Sequence, residues 1–408
     1  MKILHTADWH LGKKLEQFER TDEHQHFLDW LIEKLSAECI EVLIIAGDIF
    51  DTGTPSNVAL QQYYQFLRKV KDTCCRDVII IGGNHDSIST LNAPKGLLRY
   101  FNVHIVGGVP DEFTEQIIPI SDKDGKIALV VCAVPFLRDR DIRLSISGEN
   151  TQERESRIKK GISDHYYRFV EHIKSYKSEG IPVIATGHLY AAGSTTSDSE
   201  KDIHVGNLGQ IGADHFPPEF DYIALGHIHR PQLVNNIKHI RYSGSPLPLS
   251  FSENEDKKQV VILEFEGSKL IRLEEHEVPC CRKLIRIKGN LETVKSKILL
   301  LSDHQLKYPA WVEIHVETES PIYDLDEQLH TMKANKPFIE RFFIRQSRIK
   351  AALNLDEQTD NYTILSDLDP RMVFIKKCES DFAEEDYSDL LQTFDETIEQ
   401  MAQMERSL

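Results

Sequence analysis

Short apolar runs punctuate the first half of the chain at intervals that helical periods fill. Lys2-Ile3-Leu4-His5, Val42-Leu43-Ile44-Ile45 and Val78-Ile79-Ile80-Ile81 read as strands, and Ile127–Cys132, Val183–Thr186 and Tyr222–Leu225 continue the series. Continuous runs of this length suit strands buried on both faces. Between them, Glu23–Ser36 places Phe27, Leu28, Leu31, Ile32 and Leu35 at helical spacing, and Val58–Val70 does the same behind the helix-start signal Pro55-Ser56-Asn57. Strands alternating with amphipathic helices over the first 250 or so residues imply an α/β or α/β/α layered domain, and the change of pattern that follows sets its span at 1–279.

The pattern changes near Arg282. Leu284–Ile287, a helical Leu291–Leu301, Trp311–Val316, a helical Asp324–Lys333 and Ile339–Arg345 predict a smaller α+β unit over 280–350. Residues 351–369 are polar and acidic, lack Lys and Arg, and read as a linker. Residues 370–408 return to helical spacing through Phe374, Phe382, Phe394 and Ile398, an amphipathic stripe that fits either a partner's groove or packing on the chain's own domain.

Composition is that of a soluble globular protein, 40% apolar and 28% charged over 408 residues. No run approaches the roughly 20 apolar residues of a membrane span, and no signal-peptide pattern precedes the first strand. Seven irregularly spaced cysteines without a Cys-x-x-Cys suggest a reducing cytoplasm. The formal charge of −17 argues against broad nucleic-acid binding, yet residues 280–350 carry a net +4.

The chemistry sits just after the strands. Asp8-Trp9-His10, Gly47-Asp48, Gly83-Asn84-His85-Asp86, Gly187-His188 and Gly226-His227-Ile228-His229 each follow an apolar run by a residue or two. Such loops, at the carboxyl ends of strands, are where open α/β sheets hold ligands. Asp8 and His10 are two apart, as are His227 and His229, so on extended segments each pair points to one side. A lone Asp-x-His or Gly-His is weak evidence. Five clusters in this order point to one centre for two divalent cations, with Asp48 as the natural bridge. Mixed imidazole and carboxylate donors suit manganese, iron or zinc, and the absence of cysteine disfavours a structural zinc site. Such a centre hydrolyses phosphate esters. Most of the remaining histidines lack a partner at ligand spacing.

The clusters match the calcineurin-like metallophosphoesterase signature D-x-H, G-D, G-N-H-[DE], G-H, G-H-x-H. Within that superfamily the chain resembles the bacterial SbcD nucleases, through Ile3–Gly12, Ala46–Gly53, Pro135-Phe136-Leu137-Arg138 and Arg241–Phe251. The resemblance implies a first cation on Asp8, His10, Asp48 and His229, and a second on Asp48, Asn84, His188 and His227, with manganese usual. It implies that His85 protonates the leaving oxygen. Asp51 and Asp86 stand behind these residues. Asp86 serves either to orient His85 or to stabilise its turn. Asp51 occupies the place of a further histidine in archaeal and eukaryotic relatives.

The same resemblance implies a double-strand exonuclease and single-strand or hairpin endonuclease in DNA repair, recombination and replication. The 280–350 unit would cap the metals, and 370–408 would bind the coiled coil of an SbcC-type SMC-like ATPase. No Gly-x-x-x-x-Gly-Lys-[Ser/Thr] occurs here, so ATP hydrolysis would belong to that partner. A homodimer within a heterotetramer is implied, with Glu23–Ser36 and Val58–Val70 as candidate contacts; their apolar faces serve equally well to pack on the sheet. The alternative is a phosphomonoesterase or cyclic-nucleotide phosphodiesterase on the same two-metal scaffold; a scaffold without catalysis is disfavoured because every ligand position holds a competent donor.

Overall fold

The computed structural model describes residues 1–142, 151–191, 200, 211–318 and 322–348. Met1–Ile349 form one compact unit. The expected linker at 351–369 and helical segment at 370–408 lie outside the described residues.

The elements run β1 (Lys2–Thr6), β2 (Lys14–Leu15), β3 (Phe18–Glu19), α1 (Thr21–Ala37), β4 (Val42–Ala46), α2 (Asn57–Val70), β5 (Asp77–Ile81), α3 (Ile88–Asn92), α4 (Lys95–Arg99) and β6 (Val103–Val106). There follow β7 (Ile117–Ser121), β8 (Ile127–Cys132), α5 (Asp139–Ile142), α6 (Thr151–Ser178), β9 (Val183–His188), β10 (Tyr222–Gly226), β11 (Gln232–Val234), β12 (Ile237–Tyr242), β13 (Gln259–Glu266) and β14 (Lys269–Glu277). The chain continues through β15 (Arg282–Gly289), α7 (Leu291–Leu300), β16 (Tyr308–Thr318), α8 (Leu325–Ala334) and β17 (Ile339–Arg348).

The layered α/β architecture has a middle made of two six-stranded sheets, ordered β14-β13-β1-β4-β5-β6 and β11-β12-β10-β9-β8-β7. Strands β1, β4, β5 and β6 are parallel, as are β8, β9, β10 and β12. Period-2 alternation explains why their sequences are apolar throughout. Along β4, Leu43 and Ile45 join the core under α1 and α2, while Val42, Ile44 and Ala46 join the core between the sheets. Along β10, Ile223 and Leu225 face the core that contains Tyr166 and Phe169 of α6, while Tyr222 and Ala224 face the other sheet. Both faces are therefore dry, as the runs suggest. Helix α2 begins as expected, with Ser56 Oγ accepting from the Ala59 N–H at 3.2 Å.

The C-terminal sheet, β15-β16-β17, is wholly parallel, with α7 and α8 in the crossovers. It is a βαβαβ repeat with its own core around Val294, Ile298, Ile314 and Leu329. Its junction with the first domain is aromatic and charged. Leu15, Phe251, Leu284 and Trp311 pack together with Phe18 and Phe343. Arg282 donates from Nε to Glu23 Oε1 at 3.0 Å and lies over the Trp311 ring at 4.5 Å. Among the described residues no helix is long and apolar enough to cross a membrane.

Candidate metal centre

The carboxyl ends of β1, β4, β5, β9 and β10 meet at one place, and all five ligand-bearing clusters stand there. Loops 8–11 and 47–51 run side by side: the Asp8, His10 and Leu11 N–H groups donate to the carbonyls of Gly47, Asp48 and Ile49 at 3.0, 3.0 and 2.9 Å. The main-chain N–H of His85 donates to Asp48 Oδ1 at 2.9 Å, and that of His227 to Asp8 Oδ1 at 2.8 Å. The carboxylates thus stitch together loops far apart in sequence.

The extended geometry expected for Asp8 and His10 is not what brings them together. Both lie past the end of β1 in the left-handed region, with φ of 54° and 47°; Asp48 has φ 49° and His227 has φ 100°. The backbone kinks at each ligand, and the kinks aim the side chains. Trp9 between them drops into the core, edge-on to Phe27 at 5.7 Å and Phe66 at 5.1 Å, with Nε1 donating to Thr6 Oγ1 at 3.1 Å. Left-handed residues other than glycine cost about 1–3 kcal/mol each and persist only where the surroundings over-determine them. Glycine is required at two neighbouring points. A Cβ on Gly47 would stand 2.3 Å from His188 Nδ1, and one on Gly83 would stand 2.1 Å from Asp48 Oδ1.

The donors divide into two buried sets. Asp8, His10 and His229 bring one ligand atom each within 4.8 Å of one another, and so do Asp48, His188 and His227. Asp48 lies between the sets: its Oδ2 is 3.5 Å from His10 Nε2 and 3.2 Å from His188 Nε2. Asn84 Oδ1 adds to the second, 2.9 Å from His188 Nε2 and 3.3 Å from His227 Nδ1.

The donor chemistry fits cations. His188 Nδ1 faces the Ala46 carbonyl at 3.0 Å and serves as the donor there. Its Nε2 lone pair then converges with Asn84 Oδ1 and Asp48 Oδ2, three acceptors that only a proton or a cation reconciles. Asp8 Oδ2 and His10 Nε2 are buried without a hydrogen bond. The electrostatics carry the same strain. Burial opposes a charge on His188, but the Asp48 carboxylate outweighs it and lifts the imidazole to about 9. Burial opposes a charge on Asp48 as well, yet His188 and His10 hold it well below the usual carboxylate range. Burial pushes Asp8 up to about 7, only partly offset by His188 and reinforced by Asp48. Burial and His188 hold His227 well below the usual histidine range.

His85 stands beside the first set, half-buried, its ring 4.7 Å from that of His10. Its Nδ1 is 2.6 Å from the main-chain oxygen of Asp51. The Asp51 carboxylate faces His10 Nδ1 at 3.3 Å and Lys13 Nζ at 3.1 Å. Burial opposes its charge, and His10 and Lys13 prevail and hold it below the usual range. Asp86 is buried. Its carboxylate accepts from the main-chain N–H groups of Ile49, Phe50 and Gly83 at 3.1, 3.0 and 2.9 Å. Of the two roles open to Asp86, the geometry matches the stabilisation of the loops.

Some residues around the centre escape sequence reasoning. Glu253, Lys258 and Glu200 gather at His229, and Lys13 at Asp51. Glu253 and Lys258 belong to a run, Ser252-Glu253-Asn254-Glu255-Asp256-Lys257-Lys258, that looks solvated; the apolar Val260–Leu263 directly after it is the one available signal. His5 lies outside the centre, buried between the sheets with Nδ1 3.0 Å from Tyr222 Oη, and burial and Arg241 lower it to about 3.

Fold and donor set define a class of phosphoesterase. Residues 1–231 match the family model described as calcineurin-like phosphoesterase, and residues 280–382 match one described as a type 5 capsule protein repressor C-terminal domain. SbcD of Escherichia coli strain K12, the D component of the nuclease SbcCD, is 37% identical over 349 residues, 85% of this chain and 86% of that protein. The protein of the same name from Bacillus subtilis strain 168 is 32% identical over 83% of this chain and 84% of its own length. That from Rhodobacter capsulatus is 35% identical over 65% of this chain and 67% of its own. The chain belongs to the SbcD family of calcineurin-like phosphoesterases.

Proposed function

We propose that this chain is the metal-dependent nuclease component of an SbcCD-type complex and hydrolyses DNA phosphodiesters. The observation that carries the reading is the position of Asp48 between two buried donor sets in a member of a nuclease family. Asp8, His10, Asp48 and His229 would hold one divalent cation, and Asp48, Asn84, His188 and His227 the other, with manganese as the working ion. The cations would supply positive charge to the phosphate and a water acidic enough to ionise near neutral pH.

The chain's own residues supply the rest. His85 gives its proton to the leaving oxygen from Nε2, because Nδ1 is engaged by the Asp51 carbonyl. A phosphodiester oxygen leaves poorly unless protonated, and histidine titrates near neutrality. Asp86 ties the Ile49-Phe50 loop to Gly83 and thereby keeps Asp48 and His85 in register. The 280–350 unit, net +4, caps the approach to the centre and meets DNA phosphates. Residues 351–369 link it to the 370–408 segment, which docks on the coiled coil of an SMC-like ATPase of SbcC type. The assembly is a heterotetramer around a homodimer of this chain. It acts in DNA repair, recombination and replication as double-strand exonuclease and single-strand or hairpin endonuclease. Free cysteines, six among the described residues, support a reducing, cytoplasmic setting.

The test is cleavage of linear duplex DNA with manganese, beside a phosphomonoester, by the chain co-purified with its ATPase. Strand cleavage is expected. Turnover of the small ester alone would instead make the chain a phosphatase.

A further inference from the structure

Imidazoles that bind metals are commonly held by a carboxylate or carbonyl at the other ring nitrogen, and loss of that partner weakens the metal. For His229 the partner stands outside all five ligand clusters. Glu253 Oε1 lies 3.6 Å from His229 Nδ1. The opposite oxygen, Oε2, accepts from the Leu249 N–H at 3.1 Å and from Lys258 Nζ at 2.5 Å. Lys258 Nζ also donates to the main-chain oxygen of His229 and to Ser245 Oγ, both at 3.0 Å. The pair therefore grips the ring and the backbone of one residue. Glu200 Oε1 assists, lying 3.8 Å from the same Nδ1 and accepting from the His229 N–H at 2.9 Å.

Glu253 is 0% and Lys258 5% exposed. Burying an ion pair is a poor way to add stability, because desolvation cancels much of the attraction. A buried pair whose hydrogen bonds end on a metal donor has a better explanation in orienting that donor. Two residues before Glu253, Phe251 inserts among Leu284, Trp311 and Phe343 of the C-terminal sheet, 5.5 Å from the Phe343 ring. Lys283 Nζ donates to the Asn254 carbonyl at 3.3 Å. One short segment, 251–258, thus touches the capping unit at one end and His229 at the other.

We propose that Glu253 and Lys258 are positioning residues for His229, and that the seat of Phe251 in the capping unit transmits the docking of that unit to His229. The proposal rests on the two-cation reading. Its effect is confined to one cation, because His188 in the other set is held instead by the Ala46 carbonyl.

Calorimetric titration of the full-length chain with manganese alone tests it. Wild type is expected to show two binding events. Glu253→Gln is expected to weaken one event about 10- to 100-fold and leave the other unchanged. Because that change leaves Lys258 buried without its carboxylate, the double variant Glu253→Gln/Lys258→Met, which removes both charges at similar volume, is measured beside it and should lose the same event. Phe343→Ala, which touches no donor, should weaken the same event to a smaller extent. Wild-type affinities in both Glu253 variants, or equal weakening of both events, would overturn the positioning role. Unchanged binding in Phe343→Ala would overturn the link to the capping unit. Failure of wild type to bind two ions would overturn the two-cation reading itself, and is read before any substitution is made.

Discussion

The main-chain oxygen of Asp51 accepts a hydrogen bond from His85 Nδ1 at 2.6 Å. The contact engages Nδ1, so that a proton given by His85 would leave from Nε2, and it does so with an atom that any residue at position 51 would provide. The Asp51 side chain has separate business with His10 and Lys13. One residue thus supports a candidate metal donor through its carboxylate and the proposed acid through its backbone.

His85→Ala removes the proposed acid and leaves every residue of the two donor sets in place. Cleavage should fall about 10²- to 10⁴-fold, the usual worth of positioned proton transfer. Metal content, measured by elemental analysis, should stay at two ions per chain. Asp51→Asn keeps the carbonyl and should lose far less activity than His85→Ala. Equal losses would mean that the Asp51 carboxylate, rather than its backbone, governs the step.

Asp48→Ala takes away the oxygen that lies 3.5 Å from His10 Nε2 and 3.2 Å from His188 Nε2. It also leaves the His85 N–H without its acceptor. Both ions should be lost or greatly weakened, in contrast to any variant that touches one set. Two tightly bound ions in Asp48→Ala would remove the bridging role.

These residues differ in how readily the sequence displays them. The ligand clusters stand out because each stands at or just past the end of a strand that is dry on both faces, where an Asp or His breaks the apolar run. What brings them together is less visible. The left-handed φ at Asp8, His10 and Asp48 leaves no periodic trace, since neither helix nor strand spacing applies to it. The service of Asp51 to His85 uses the backbone, which carries no residue-type signal. Glu253 and Lys258 look like surface charges because hydropathy cannot distinguish a solvated pair from a buried one. The doubling of the middle layer is hidden for a similar reason: a strand facing a second sheet and a strand facing a helix are both simply apolar.

Asp86 tests the loops rather than the chemistry. Its carboxylate satisfies three buried N–H groups, and burial together with Asp48 raises it to about 6 despite them. Asp86→Ala would orphan all three, each at about 1–3 kcal/mol. A loss of at least about 3 kcal/mol is expected in urea unfolding of the metal-free chain. Asp86→Asn, which keeps an acceptor oxygen, should recover part of it. A loss below about 1 kcal/mol in Asp86→Ala would show that water replaces the carboxylate.

Acid sensitivity should come partly from His165 on α6, far from the donors in sequence and packed against Phe113 and Phe169. Burial, with help from Arg168, lowers it from 6.5 to about 4, and its Nε2 lies 3.0 Å from Gln116 Oε1. A histidine depressed in the folded state takes up its proton first in the unfolded chain. Unfolded molecules therefore bind more protons between pH 6.5 and 4, and stability rises with pH across that window and is complete above it. The span corresponds to about 3 kcal/mol, since each unit is worth about 1.4 kcal/mol. Urea unfolding at about pH 6.5 and about pH 4.5 should show most of that difference in wild type. His165→Gln cannot protonate and should flatten the slope by a similar amount. An identical slope in the variant would assign the acid sensitivity to other groups held below their usual range in the folded chain, among them His5 and His24, both lowered to about 3.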